Sequence, residues 1–92
     1  MAVSGEDSNT MIFTASGDVT TRTFIMDSLR WVGGASAGDQ LVVQDGDGNE
    51  IFKSLANGSN FIDGWVWSRK YMGGLSVNKM TSGTLYVYRL QG

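Results

Sequence analysis

The stretch "DQLVVQDGDGNEIFKSLA", residues 39–56, decides how the rest of the chain is interpreted. Its two halves, "DQLVVQD" and "NEIFKSLA", are rich in residues that favour extended backbone. Between them lies "DGDGN", Asp45 to Asn49. Repeated Asp-Gly steps are among the strongest short-range signals of a β-hairpin, because glycine accepts the positive φ angles of tight turns. The stretch therefore predicts two antiparallel strands joined by a short turn.

The same turn has a second interpretation as a calcium loop. Asp45, Asp47 and Asn49 occupy the first, third and fifth places of the EF-hand pattern. That pattern also needs glycine at its sixth place and a bidentate glutamate at its twelfth, and these places hold Glu50 and Ala56. The flanking segments are strands, whereas the motif requires helices. We therefore predict a hairpin turn and no metal site, with a weak calcium contact of millimolar affinity as the alternative.

Further β-segments follow at regular spacing along the chain, separated by turns built from glycine and small polar residues. The chain has thirteen glycines and no proline. This pattern predicts an all-β fold, a small antiparallel β-sandwich or barrel of six to seven short strands. The other clear segments are "TMIFTA" at residues 10–15, "FIDGWVWSRKYM" at 61–72, "GGLSVNKM" at 73–80 and "TLYVYRL" at 84–90.

The segment "VTTRTFIMDSLRWVGG", residues 19–34, is compatible with two periodicities. As a helix it would place Ile25 and Leu29 on one stripe. As a strand it places both on one face with Trp31, with Asp27 as the exception. The threonines, the β-branched residues and the Trp-Val ending favour a strand, with a bulge near Asp27. Trp31 is predicted to lie in the core.

Composition restricts the chemistry that the chain can perform. The 92 residues form one small domain, predicted to span residues 10–92 after a flexible N-terminal arm at residues 1–9. Histidine and cysteine are absent, so the commonest general base and the thiolate ligands are missing. The glycines of "GGASAG", residues 33–38, are not followed by the Gly-Lys-Ser/Thr of a phosphate-binding loop. We predict that the protein is not an enzyme and uses no cofactor.

Charge is distributed unevenly along the chain, whose net charge is −2. Residues 1–50 hold eight acidic against two basic residues, a net charge of −6, and residues 51–92 hold five basic against one acidic residue, a net charge of +4. The basic residues are scattered, which argues against nucleic acid as a partner. The chain has neither an apolar run long enough for a membrane helix nor a signal-peptide pattern, so we expect synthesis in the cytoplasm and no membrane contact.

The most distinctive side chains lie in residues 61–72. Extended throughout, this segment would place Asp63, Trp65, Trp67, Arg69 and Tyr71 on one side. We interpret these five residues as candidates for a subunit interface or a ligand platform, since Trp, Tyr and Arg commonly anchor interfaces. The alternatives are that the tryptophans fill the core, or that they form an exposed surface that binds sugars.

The order of features resembles a known class of proteins. The resemblance covers roughly residues 23–90 and rests on the Trp31–Gly33 ending, the Asp45–Asn49 hairpin with Ile51-Phe52 after it, and the Ser82–Tyr86 close. In these features the chain resembles small β-rich accessory proteins encoded near the capsid genes of tailed bacteriophages. The resemblance implies a virion protein, made in the host cytoplasm, that decorates or cements the capsid shell. It also implies contact with the major capsid protein or other virion proteins, and a homo-oligomer, with a trimer favoured.

Two other functions remain alternatives at the level of sequence. One is a carbohydrate-binding or adhesin module that uses Trp65, Trp67 and Tyr71. The other is a structural component of the tail or of the head–tail connector, which the sequence does not distinguish from capsid decoration.

Overall fold

The structure describes residues 9–34, 36–58 and 61–90. In these ranges, runs of β-branched and aromatic residues form the strands. The structure is a computed structural model. Within these residues there are eight strands and no helix. The strands are β1 (Thr10–Phe13), β2 (Val19–Thr20), β3 (Phe24–Gly34), β4 (Gln40–Asp45), β5 (Glu50–Leu55), β6 (Phe61–Met72), β7 (Leu75–Met80) and β8 (Thr84–Leu90).

The strands form two four-stranded sheets. Sheet I has the order β1-β8-β3-β6, and sheet II has the order β2-β7-β4-β5. Every pair of neighbouring strands is antiparallel. Each sheet contributes one face to a shared apolar core. The all-β fold class and the small antiparallel sandwich expected from the sequence are therefore confirmed.

The expected count of six to seven short strands is wrong for the described residues. The segment at residues 19–34 is two strands, because β2 pairs with β7 in sheet II, whereas β3 pairs with β6 and β8 in sheet I. The chain crosses between the sheets after Thr20, whose Oγ1 accepts a hydrogen bond of 3.4 Å from the backbone N–H of Arg22. The strands are also not all short, since β3 has 11 residues and β6 has 12.

The bulge expected near Asp27 is confirmed. The register of β3 shifts between Met26 and Ser28 against both of its neighbours, β6 and β8. The bulge changes which residues face inward, so that Met26 and Leu29 are both buried although they are three positions apart. Ile25, expected on the same face as Leu29, therefore lies on the opposite face and is half-buried.

Trp31 lies in the centre of the core, as expected from the sequence. Its side chain is 0% exposed, and its indole Nε1 donates a hydrogen bond of 2.9 Å to the backbone carbonyl of Ser82. The ring of Phe61 packs edge-on against it, with 5.7 Å between the ring centroids. The other buried apolar residues of the core cluster are Met11, Phe13, Phe24, Met26, Leu29, Leu41, Val43, Ala56, Met72, Leu75, Val77, Met80, Leu85 and Val87.

The hairpin between β4 and β5 is confirmed at the Asp-Gly steps. Gly48 has a φ of 85°, in the region that favours glycine. The Oδ1 atom of Asp45 accepts hydrogen bonds of 2.9 Å from the backbone N–H groups of Asp47 and Asn49. The bond from the backbone of Asn49 is the main reason why the pKa of the Asp45 carboxyl lies below its ordinary value. The carboxylate therefore serves the turn itself.

Most of the expected N-terminal arm, residues 1–8, lies outside the described residues. Asn9 is described, and its backbone carbonyl accepts a hydrogen bond of 2.7 Å from the backbone N–H of Arg89. None of the described residues belongs to a helix long and apolar enough to span a membrane.

Candidate contact surface

Strand β6 concentrates the exposed apolar side chains of the molecule. It lies at one edge of sheet I and pairs, among the described strands, with β3 alone. Six large apolar side chains in the described residues are exposed, and four of them belong to β6. These four are Ile62, Trp65, Val66 and Tyr71, each more than half exposed. An edge strand of this composition is where another chain would bind most readily.

The two tryptophans of β6 have different environments. The register places Trp65 opposite Leu29, a core residue, so both side chains project from the core-facing side of sheet I. Trp65 is nevertheless 59% exposed, because it lies at the edge of the sandwich. Trp67 is partly buried and packs against the core cluster. Trp67 therefore belongs mainly to the core, and Trp65 mainly to the surface.

Asp63 connects the edge strands of the two sheets. Its Oδ2 accepts a hydrogen bond of 2.6 Å from the hydroxyl of Ser54 in β5, and its Oδ1 accepts one of 2.8 Å from the backbone N–H of Gly64. Ser54 is buried and Asp63 is half-buried, so this contact is partly shielded from water. Asp63 thus links the edge strands β5 and β6.

Tyr71 does not lie on the same side as Asp63 and the tryptophans, so the expected single-sided arrangement of residues 61–72 is wrong. Between Val66 and Lys70, β6 has three residues where β3 has only Asp27. The irregularity reverses the alternation of side chains, so that Met72 is buried and Tyr71, opposite Ile25, projects outward with 71% exposure. Arg69 is exposed within the irregular segment. The five candidate residues therefore do not form one platform.

The outer face of sheet I, the face turned away from the core, is largely apolar. The registers of its four strands place β-branched, leucine and tyrosine side chains side by side across the sheet. Arg30 is the only charged residue among the outward-facing positions that these registers define. The positions are Thr10, Ile12, Ile25, Ser28, Arg30, Val32, Ile62, Gly64, Val66, Tyr71, Thr84, Tyr86, Tyr88 and Leu90.

A shallow hollow of about 570 Å³ lies on this face next to β6. Gly64, Arg30, Val66 and Tyr88 are among the residues that line it. A Cβ atom at position 64 would clash with the backbone carbonyl oxygen of Leu29, so the close approach of β6 to β3 requires glycine there. The closest contact of the two strands therefore lies beside the hollow.

The outer face of sheet II is different, because polar and charged residues dominate it. Its residues alternate with buried ones in the pattern of a sheet that has one face in water. Val42 is only 8% exposed although it points outward. It lies between Lys53 and Lys79 in the register, where their aliphatic stems can cover it. The outward positions are Val19, Gln40, Val42, Gln44, Glu50, Lys53, Leu55, Ser76 and Lys79.

The outer face of sheet I was not singled out from the sequence, although a signal was present. In "TMIF" and "TLYVYRL" the residues between the inward ones are isoleucine, tyrosine and leucine rather than charged residues. Strands that are apolar on both sides are typical of sheets covered on both faces. A single strand defines which of its sides faces the core, but not which side chains of other strands lie beside its outer side.

The described residues contain neither a metal-binding cluster nor a buried polar side-chain atom without a partner. Within the described ranges, no group of three or more acidic residues could hold a metal ion. Every buried side-chain nitrogen or oxygen there has a hydrogen-bond partner, so none is left to point at a ligand. Comparison of the chain with protein families, with curated proteins and with solved structures finds no match.

Proposed function

We propose that this protein is a structural virion component that decorates or cements the head of a tailed bacteriophage through protein–protein contacts. The observation that carries the proposal is the largely apolar outer face of sheet I. Large apolar patches are uncommon on soluble monomers and mark sites of association. Four strands about 4.8 Å apart and about seven residues long give a face of roughly 450 Å², within the range of the largest apolar patches of monomers, which are often functional.

The residues that compose this face favour a protein partner. Tyrosine, isoleucine and arginine are the side chains that commonly form the centre of protein interfaces, where charge is otherwise scarce. Arg30 is exposed on this face, and no ion pair of Arg30 is found among the described residues. A partner surface that offers apolar side chains and a carboxylate or a tyrosine ring opposite Arg30 would complement the face. The major capsid protein is the proposed partner.

The proposal is tested by the binding of the purified protein to capsid shells assembled without it. We expect the wild-type protein to sediment with the shells and to raise their melting temperature. Tyr88→Glu places a charge in the centre of the outer face of sheet I and should abolish both effects. Ser76→Glu places the same charge on an outward, half-buried position of sheet II and should preserve them. Equal binding of both variants, or no binding by the wild type, contradicts the proposal.

A structural role in the tail or in the head–tail connector would use the same surface. The test that separates it from decoration is the same sedimentation experiment carried out with isolated tails. Binding to tails but not to shells would assign the protein to the tail or the head–tail connector.

Carbohydrate binding is a second candidate because Trp65 is 59% exposed at the edge of sheet I. An exposed indole ring is a common sugar-binding surface, although Tyr71 projects from the other side of the strand and cannot extend it. Binding of sugar at Trp65 should change tryptophan fluorescence, and Trp65→Ala should remove that change while the protein stays folded. Trp31, being 0% exposed, serves as the internal reference.

A further inference from the structure

The exposed side chains of β6 lie on both sides of the strand. Ile62 and Val66 project from the outer face of sheet I, opposite Val32 and Ser28. Trp65 projects from the core-facing side, opposite Leu29, and is 59% exposed. A partner lying flat on the outer face would leave Trp65 in water. A partner strand aligned along the edge of β6 would contact the side chains of Ile62, Trp65 and Val66.

The edge of β6 is suited to receive a strand. In the described part of the chain β6 has a neighbour on one side only, and its twelve residues contain no proline to remove a backbone donor. An exposed edge strand of this length usually carries charged residues, a proline or a bulge that prevents pairing with the strands of other chains. The stretch from Phe61 to Trp67 has one charged residue, Asp63, and that residue is occupied by Ser54.

The sequence of β6 is nearly symmetric about Val66. The residues one position before and after Val66 are both tryptophan, those two positions away are both small, and those three positions away are an acid and a base. The outermost pair is aromatic on both sides, and Ile62 with Lys70 is the one unmatched pair. The mirrored pairs are Trp65 and Trp67, Gly64 and Ser68, Asp63 and Arg69, and Phe61 and Tyr71.

From these observations we infer that β6 of one copy pairs antiparallel with β6 of a second copy, about a two-fold axis through Val66. In such a pair, a residue that lies n positions before Val66 faces the residue n positions after it in the other copy. The mirrored sequence then places exposed Trp65 beside Trp67 of the second copy, twice. It also places Asp63 near Arg69 of the second copy, twice, so that the contact is complementary in charge as well as in shape.

The irregularity of β6 between Val66 and Lys70 limits the mirrored contacts to three positions on either side of Val66, because beyond it Phe61 and Tyr71 project from opposite faces. It releases Arg69 from strict alternation, and Arg69 is exposed, so its long side chain is available to reach the Asp63 carboxylate of the second copy. Asp63 uses one lone pair of each oxygen for Ser54 and Gly64, and an ionised carboxylate can accept further bonds.

The inference deepens the proposed function and rests on it for the premise that the protein acts by contacts with neighbouring chains. A two-fold axis perpendicular to the sheet places both outer faces of sheet I on the same side. Sheet I of one copy and sheet I of the second copy then form one sheet of eight strands with a continuous apolar face. This arrangement gives a dimer in place of the trimer that the family resemblance implies.

Cysteine cross-linking tests the position of the axis, and the chain supplies a clean background because it contains no cysteine. Val66→Cys places two thiols opposite each other across the axis, at the Cβ separation of about 4.5–5.5 Å of facing strand residues, which a disulfide can bridge with a small adjustment. We expect rapid, near-complete formation of a covalent dimer of twice 9.9 kDa under mild oxidation.

The matched control is Ile62→Cys, on the same strand and the same face and of similar exposure. The two copies of position 62 would be eight residues apart along the strands, about 27 Å, which no disulfide spans. We expect at least a tenfold slower cross-linking of this variant. Equal rates for the two variants, or a wild-type protein that stays monomeric at 100 µM concentration, would overturn the inference.

A charge reversal tests the register without oxidation. Arg69→Asp should weaken the dimer about tenfold, because it places two carboxylates together, whereas Lys70→Asp makes the same change of charge opposite Ile62 and should have a smaller effect. Equal weakening of the dimer by Arg69→Asp and Lys70→Asp would contradict the register. Loss of shell binding by a protein that still dimerises would refute the proposed function and leave this inference standing.

Discussion

The two outer faces of the sandwich differ far more than the two inner faces. Both inner faces are apolar and meet in one core around Trp31. The outer face of sheet II carries Glu50, Lys53 and Lys79, whereas that of sheet I carries Arg30 as its one charged residue among the defined positions. A sheet needs only one apolar face to fold against another sheet. The second apolar face of sheet I therefore points to a requirement other than folding.

The largest expected effect separates the core from the surface. Trp31→Ala should lower the free energy of unfolding by about 4 kcal/mol, because it empties the centre of the core and leaves the carbonyl of Ser82 without its donor. Trp65→Ala, in contrast, should lower it by less than about 1 kcal/mol in the monomer, since this side chain is largely exposed. Urea unfolding measures both values, and similar losses would show that Trp65 is not a surface residue.

The next effect concerns the hollow on the outer face of sheet I. Gly64→Ala should lower the free energy of unfolding by about 2 kcal/mol, because the new methyl group would clash with the backbone of Leu29 and Arg30. Gly58→Ala is the control, since a Cβ there meets no atom within 4 Å. That change should leave stability unchanged or raise it by about 0.5 kcal/mol. A neutral Gly64→Ala variant would mean that the close approach of β3 and β6 is not required.

Lysine substitutions on the outer faces of sheets I and II should have small effects on stability but different effects on self-association. Ile62→Lys with Val66→Lys should change the free energy of unfolding by less than about 1 kcal/mol and should abolish concentration-dependent self-association. Val19→Lys with Leu55→Lys adds the same charge to the exposed apolar positions of sheet II and should leave self-association intact. Sedimentation velocity over a range of concentrations measures both, and equal effects would contradict the distinction between the faces.

The smallest effect belongs to the hairpin of sheet II. The folded-state pKa of Asp45 lies below the ordinary value of 3.8, so its contribution to stability is present above that value and is lost as the pH falls through the lower, folded-state pKa. Asp45→Asn should therefore flatten the fall in stability at pH values below about 4. Asp47→Asn should not, because no hydrogen bond to the Asp47 carboxylate is found among the described residues. Denaturant unfolding between pH 2 and pH 6 would measure the difference.

Local patterns were sufficient to predict the fold class, the β4–β5 hairpin, the bulge near Asp27 and the burial of Trp31. Each depends on turn chemistry or on residue type within a few positions. The separation of β2 from β3 depends on which distant strand each one pairs with, and local sequence does not specify that. The outward position of Tyr71 depends on the unequal number of residues between Val66 and Lys70 in β6 and between their partners in β3. Such an offset exists only between two strands.

The sequence indicated the strand that carries most of the exposed large apolar side chains, but not how those side chains are arranged. The sequence drew attention to residues 61–72, where four of the six exposed large apolar side chains lie. It placed Asp63 with the candidate contact residues, whereas the structure shows it bonded to Ser54 between the sheets. The outer face of sheet I could not be recognised from one strand, because it consists of side chains from four strands that the registers bring together.

The pairing of the first strand with the last has a consequence for how the polypeptide is assembled. Among the described strands β1 pairs only with β8, and Thr10 lies opposite Tyr88. This ladder closes a loop through almost the entire molecule, so its entropic cost is met only after the rest of the sandwich has formed. During synthesis β1 leaves the ribosome before the other seven described strands, whereas its partner β8 leaves after them. A circular permutant that joins β8 to β1 through a short linker would convert the slowest long-range pairing into a local hairpin and should fold faster.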